Sequence, residues 1–154
     1  MENELFEIGD TLTREAWPYL DAAEHEFSAR RYREAAGNLK KSIEVLPTMS
    51  GYLNLGVSQM YLWEFRQAEG NFISGVQIAR RQGNKEFEGA FLLNLGNTYF
   101  REGKYERALE SYRSALKFYE QLGDSASQAA VFHNSGIVYH AQGKLAEALR
   151  SHAT

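Results

Sequence analysis

Small, apolar and polar positions return along this chain at helical intervals, and the whole pattern returns every 40 residues. Asn94-Leu95-Gly96-Asn97-Thr98-Tyr99 is followed by Gly103-Lys104-Tyr105 and then Ala108-Leu109. Forty residues earlier stand Asn54-Leu55-Gly56, Phe65 and Ala68. Forty residues later stand Asn134-Ser135-Gly136, Tyr139, Gly143-Lys144-Leu145 and Ala148-Leu149. Three copies in register form an internal repeat, whose units each leave an apolar face that only a neighbour can cover.

The elements follow from the breakers between apolar stripes. Residues 1–15 lie outside the repeat; Leu5, Ile8 and Leu12 share one helical face there, as a leader or a short docking helix. A first helix starts near Trp17-Pro18, where proline is tolerated in a first turn, and runs through Tyr19, Ala22, Ala23 and Phe27 to about Arg30. A second covers about Arg31 to Leu46, with Tyr32, Ala35, Leu39 and Ser42 inward, and Pro47 ends it. The next pair is about Ser50–Leu62 and Phe65–Gln82, stopped by Gly83-Asn84. The third pair is about Glu86–Arg101 and Tyr105–Leu122, closed by Gly123-Asp124. A fourth pair opens at Ser125, reaches Ala141, turns at Gly143 and leaves a truncated second helix from Leu145 to Thr154. The expectation is seven full helices and a short eighth, with no β-sheet. The units are 16–48, 49–88, 89–128 and the incomplete 129–154.

The recurring small residues have a steric reason. Ala23, Gly56, Gly96 and Gly136 let the first helix of each pair lie close to its neighbour, and Ala35, Ala68, Ala108 and Ala148 do the same on the second. Phe72 and Tyr112 are then expected to fill the space between units.

Composition narrows the chemistry. With 44% hydrophobic and 13% aromatic residues the 154-residue chain has enough apolar content for a core, which argues against disorder. A net charge of −3 with interspersed signs offers no basic field to nucleic acid or an anionic membrane. The absence of cysteine removes disulfides, thiolate nucleophiles and Cys-ligated zinc. Met1-Glu2-Asn3-Glu4 lacks the basic start of a secretory signal, and no apolar run approaches the ~20 residues of a membrane span. A cytoplasmic protein is expected. There is no Gly-rich phosphate loop ending in Lys-Ser/Thr, no His-Glu-x-x-His and no Gly-x-Ser-x-Gly, so neither an enzyme nor a cofactor is expected.

At these residues the chain resembles a tetratricopeptide repeat (TPR) array. The third unit matches that pattern nearly everywhere, with Leu95, Gly96, Tyr99, Gly103, Tyr105, Ala108, Tyr112 and Ala115. The second departs at Gln59 and Trp63, where Tyr and Gly are usual, and the first has Glu26 in place of Tyr. The resemblance implies an all-α fold, an α-solenoid in which antiparallel helix pairs wind into a right-handed superhelix. The 40-residue pitch with Asn-Leu-Gly-Asn is similar to the Pins/LGN-type adaptors, which hold extended peptides in a concave groove.

In such arrays the position of Asn54, Asn94 and Asn134 faces the groove, where an amide offers a donor and an acceptor to a peptide unit. The bland alternative is that these amides bond neighbouring backbone. The same face carries Leu53, Val57, Met60 and Tyr61, then Leu93, Asn97, Phe100 and Arg101, then His133, Ile137, His140 and Ala141. The expected peptide-binding groove is therefore Asn54, Val57, Tyr61, Asn94, Asn97, Phe100, Arg101, His133, Asn134, Ile137 and His140. Inner helices ~8–10 Å apart and a peptide rise of ~3.3 Å per residue suit a bound segment of about five or six residues. Arg101 is a candidate partner for a ligand carboxylate, or a solvated arginine at a helix end. His133 and His140 stand seven apart with no third ligand, so no metal is expected.

Two functions compete on this reading. One is an adaptor that binds a partner's extended peptide in the groove, with a signalling-peptide sensor domain as its variant. The other is a structural or self-assembling scaffold that uses its ends. The incomplete fourth unit leaves Ala141, Leu145, Ala148 and Leu149 near an uncovered stacking face, so the expectation is either a fragment of a longer array or an end covered by a second copy, and in both cases an apolar contact of the C-terminal end with another chain, such as a homodimer.

Overall fold

The computed structural model describes the backbone of residues 31–153 and the side chains of residues 31–146. The leader, the helix expected from Trp17 and the first unit's Ala23 lie outside the described residues. The chain divides into two compact units, Met1–Gly83 and Asn84–Thr154. Every regular element described is helical: α1 (Tyr32–Val45), α2 (Met49–Tyr61) and α3 (Phe65–Gln82) in the first unit, α4 (Lys85–Arg101), α5 (Tyr105–Leu122) and α6 (Ser125–Ala153) in the second. They form the antiparallel pairs of an α-solenoid, α2 packing on α1 and α3, and α5 on α4 and α6.

Local chemistry sets the ends. The Thr48 side chain accepts a hydrogen bond from Gly51 N at 3.0 Å and starts α2, and Asn84 Oδ1 accepts one from Phe87 N at 3.0 Å and starts α4. Asp124 Oδ1 accepts from Ser127 N at 3.0 Å while its Oδ2 accepts from the Ser127 hydroxyl at 2.6 Å. These bonds favour the charged carboxylate and hold its pKa below the ordinary value. Gly83 and Gly123 close α3 and α5 in the left-handed conformation, at φ 67° in both.

Both cores are built from the repeat's small-against-large contacts. Ala36, Leu39 and Leu55 are buried with Ile43 and Leu62 packed on them, joining α1 to α2. In the second unit Leu92, Leu95, Ala108, Leu109, Tyr112, Ala115 and Tyr119 are buried between α4 and its neighbours. A methyl group on Gly96 would lie 2.5 Å from Tyr112 Cε1 and 2.6 Å from Cδ1; one on Gly56 would lie 2.8 Å from two ring carbons of Phe72. Phe72 and Tyr112 thus fill the notch inside their own helix pair, which corrects the expectation that they fill the space between units. The ring needs the glycine, because interiors packed at crystal density have no room for both ring and methyl.

The expected turn at Gly143 is absent. The chain runs on as one 29-residue helix from Ser125 to Ala153, so the seventh helix and the short eighth are continuous. At the equivalent place Gly103 has φ 78° and reverses the chain, and Trp63 does the same at φ 64°. The sequence around the missing turn explains the difference. Positions 65 and 105 hold Phe and Tyr where 145 holds Leu, and positions 72 and 112 hold Phe and Tyr where 152 holds His. The apolar ring that seals the pair is not supplied. A glycine inside a helix costs only about 1 kcal/mol relative to alanine, less than breaking the helix for a weakened contact.

Candidate functional site

On each first helix three residues at i, i+3 and i+7 make a stripe: Asn54, Val57 and Tyr61 on α2, Asn94, Asn97 and Arg101 on α4, Asn134, Ile137 and Ala141 on α6. The opposite side of α4 carries Leu92, Gly96 and Tyr99, all buried, so packing leaves the stripe as the accessible side.

In the first unit Asn54 and Val57 are half-buried, and Tyr61 is 41% exposed. Tyr61 stacks on Tyr32 of α1, with ring centroids 4.8 Å apart and planes at 17°. That stack fixes the ring and still leaves part of it accessible. Asn54 makes no side-chain hydrogen bond among the described residues. Leu53 is half-buried, whereas Met60 is buried at 4% exposure and belongs to the core rather than to an open face.

The second unit brings three helices together at one oxygen. Tyr112 Oη on α5 donates to Asn97 Oδ1 on α4 at 2.6 Å, and Asn134 Nδ2 on α6 donates to the same oxygen at 3.0 Å. Both acceptor directions of that oxygen are used, which fixes the orientation of each amide. The Asn97 Nδ2 and Asn134 Oδ1 make no hydrogen bond among the described residues, and both side chains are half-buried. Asn94 differs: its Nδ2 donates to Ala90 O, 2.9 Å away in the same helix. Of the three asparagines in register, then, only Asn94 bonds backbone among the described residues, and none is buried. Phe100 is half-buried with its ring 5.8 Å from that of Tyr105, and Arg101 is exposed in the last turn of α4. His133 and His140 are exposed on α6, and Ile137 is 42% exposed between them. Among the described residues no three His, Cys, Asp or Glu side chains are arranged to hold a metal. Among the same residues no helix is long and apolar enough to cross a membrane.

Burial, not charge, dominates the ionisation of the supporting tyrosines. Desolvation pushes the Tyr112 hydroxyl up to about 12, so it stays a donor to Asn97 throughout the neutral range. Tyr119 is also raised to about 12, by burial first and then by the carboxylates of Asp124 and Glu86. Away from the stripe, the Tyr99 ring has two cations near it, Lys104 Nζ at 6.0 Å and Arg107 Cζ at 5.9 Å from its centroid.

Sequence reasoning named Asn97 and Asn134 but missed the bond between them and the role of Tyr112. A signal was present at the repeat lag: Asn97 with Tyr112 becomes Val57 with Phe72, losing amide and hydroxyl together. It also missed the bond from Asn71 Nδ2 to Gln59 Oε1, 2.6 Å long, in which a buried amide replaces the usual tyrosine.

The profile of the tetratricopeptide repeat family matches residues 47–121 and 87–153. A search of curated protein sequences finds no match. Among solved structures, the apo form of RapI is similar over 96% of this chain and 56% of that one, at 15% identity and TM-score 0.79. The N-terminal domain of stress-induced protein-1 from C. elegans is similar over 82% of this chain and 98% of that one, at 15% identity and TM-score 0.69. A signal-transduction ATPase with a tetratricopeptide repeat sensor, from Pyrococcus horikoshii, is similar over 91% of this chain but 23% of its own length, at 23% identity and TM-score 0.68. The chain thus spans just over half of RapI and a quarter or less of the ATPase. At these identities the likeness is one of fold.

Proposed function

Because the chain belongs to the tetratricopeptide repeat family, a family of protein-interaction modules, we propose that it is an adaptor holding an extended peptide segment of a partner protein along its first-helix stripes. The carrying observation is the amide pair of Asn97 and Asn134, locked by a shared oxygen with an N–H donor and a carbonyl acceptor left over. A peptide unit presents the complementary acceptor and donor, and a fixed amide pair meets it without the entropy loss of a mobile side chain. Ile137 and Phe100 supply apolar contact on either side, His133 and His140 line the outer edge, and Arg101 suits a carboxylate. In the first unit Asn54, Val57 and the stacked Tyr61 offer a second, more apolar stripe of the same register. Asn94, with its amide hydrogen spent on Ala90, keeps a carbonyl oxygen for a ligand N–H.

The 40-residue pitch and the Asn-Leu-Gly-Asn run support placing the chain beside the Pins/LGN-type adaptors, working in the cytoplasm on a protein rather than a nucleic acid or lipid partner. Selection of a phage-displayed random peptide library on the immobilised chain tests the reading. Enriched peptides should lose about two- to tenfold in affinity with Asn97→Ala or Asn134→Ala, one hydrogen bond each, and nothing with Glu110→Ala on the exposed side of α5. Peptides indifferent to both asparagines, or no enrichment at all, would remove the groove as the site.

A further inference from the structure

The hydrogen bonds behind the second unit's stripe begin in the core. Tyr112 is 2% exposed, and its ring fills the notch of Gly96, where a methyl group would lie 2.5 Å from Cε1. Its hydroxyl reaches Asn97 Oδ1 at 2.6 Å, on the residue directly after that glycine. The same oxygen accepts from Asn134 Nδ2 at 3.0 Å. Two amides alone have two equivalent arrangements, since either side chain can donate while the other accepts. Turning both over would replace the free donor on α4 by an acceptor and the free acceptor on α6 by a donor. The Tyr112 hydroxyl removes that equivalence. Its proton, kept in place by burial, bonds Asn97 Oδ1 and no other acceptor among the described residues. With the amides turned over, the hydroxyl would face an N–H, and its own proton would be left without an acceptor in the interior.

Resting on the peptide-binding reading of this stripe, we infer that Tyr112 is a positioning residue for it. From inside the core its hydroxyl selects the one arrangement in which α4 offers a partner's peptide a donor and α6 offers it an acceptor. Tyr112 touches no ligand and acts only through Asn97. The first unit supplies the contrast. Gly56 holds the ring of Phe72 in the same notch, and Val57 stands at the register of Asn97. Where the ring lacks a hydroxyl, the stripe has no amide at that register to orient. Tyrosine or phenylalanine on the second helix therefore goes with a hydrogen-bonding or an apolar subsite on the first, while the steric fit of ring and glycine stays the same.

The test uses peptides selected from a phage-displayed random library on the unmodified chain, with affinities then measured on folded variants. Tyr112→Phe keeps the ring, as Phe72 does in the notch of Gly56, so its helicity should match that of the unmodified chain. It should weaken the selected peptides by at least about twofold, because two equally populated amide arrangements halve the competent fraction. In an Asn97→Ala background the same substitution should leave affinity unchanged, since the hydroxyl then has no amide to orient. Tyr112→Phe without effect, where Asn97→Ala and Asn134→Ala each weaken binding, overturns the inference and leaves the peptide site standing. A loss that persists in the Asn97→Ala background overturns it too, because the hydroxyl would then act through packing alone. Peptides indifferent to both asparagines, or no enrichment, remove the site and the inference together.

Discussion

The α2–α3 and α4–α5 pairs are two solutions to one packing problem. In both, a glycine on the first helix receives a ring from the second, Gly56 with Phe72 and Gly96 with Tyr112. Around that shared contact the polar chemistry changes in sets. Asn97 bonded to Tyr112 becomes Val57 beside Phe72, so hydroxyl and amide leave together. Tyr99, with Lys104 and Arg107 near its ring, becomes Gln59 with Glu64 and Gln67, and Gln59 finds Asn71 instead. The steric fit is kept while polar partners are exchanged as whole groups. That follows from magnitudes: a buried polar group that loses its partner costs about 1–3 kcal/mol, whereas removing both partners can be nearly neutral.

The largest expected effect tests the shared contact. Gly96→Val and Gly56→Val should each destabilise their unit by ~1–3 kcal/mol or more, because a rigid buried ring stands where the side chain must go. Gly136→Ala, at the same register on α6, should stabilise by up to ~1 kcal/mol, since nothing opposes the methyl and alanine favours helix. Urea unfolding followed by circular dichroism reads all three. Equal penalties at 96 and 136 would mean that α6 is already covered as α4 is.

Much of this architecture was legible in the chain because its punctuation is local. Pro47, Gly83 and Gly123 set helix ends through their own backbone chemistry, and α3, α5 and the end of α4 fall where the spacing places them. The continuity of α6 was not legible, because Gly143-Lys144 repeats Gly103-Lys104 letter for letter. What differs is a long-range contact, the ring at 112 against the histidine at 152, and a turn residue carries no record of it. For the site, the i, i+3, i+7 stripe located Asn97 and Asn134 but not the oxygen they share, which depends on how α4, α5 and α6 approach one another. Met60 shows the opposite failure. Its spacing suits the open face, yet packing buries it.

The exchange of polar groups as sets is sharpened by moving one set into the other pair. Asn71→Ser removes the one side-chain hydrogen-bond partner that the 2%-exposed Gln59 has among the described residues and should cost about 1–3 kcal/mol. Gln59→Tyr with Asn71→Ser installs the residues found at 99 and 111, and should recover most of that loss. A double-mutant cycle isolates the coupling, expected at about 0.5–3 kcal/mol for residues in contact. Additive effects would show that the two side chains do not act as a unit.

The smallest effect distinguishes the turns themselves. Trp63 is 71% exposed and left-handed at φ 64°, where its counterpart is Gly103 at φ 78°. A non-glycine residue there carries a strain of roughly 1–2 kcal/mol, opposed by the edge contact of its ring with Phe65, at 5.5 Å between centroids. Such a contact is worth about 0.5–1.5 kcal/mol, so Trp63→Gly alone should change stability little and would prove nothing. Comparing Trp63→Gly with Trp63→Ala removes the ring from both sides of the measurement and leaves only the backbone. Glycine should then be the more stable by about 1 kcal/mol, the reverse of its rank inside a helix. Gly103→Ala should lose a similar amount, and Gly143→Ala should gain it, because position 143 lies within α6 and a methyl there meets nothing within 4 Å. Three equivalent positions thus carry the signs of two turns and one uninterrupted helix. A loss at Gly143→Ala matching that at Gly103→Ala would place a third turn there and return residues 145–153 to the face of their own α6.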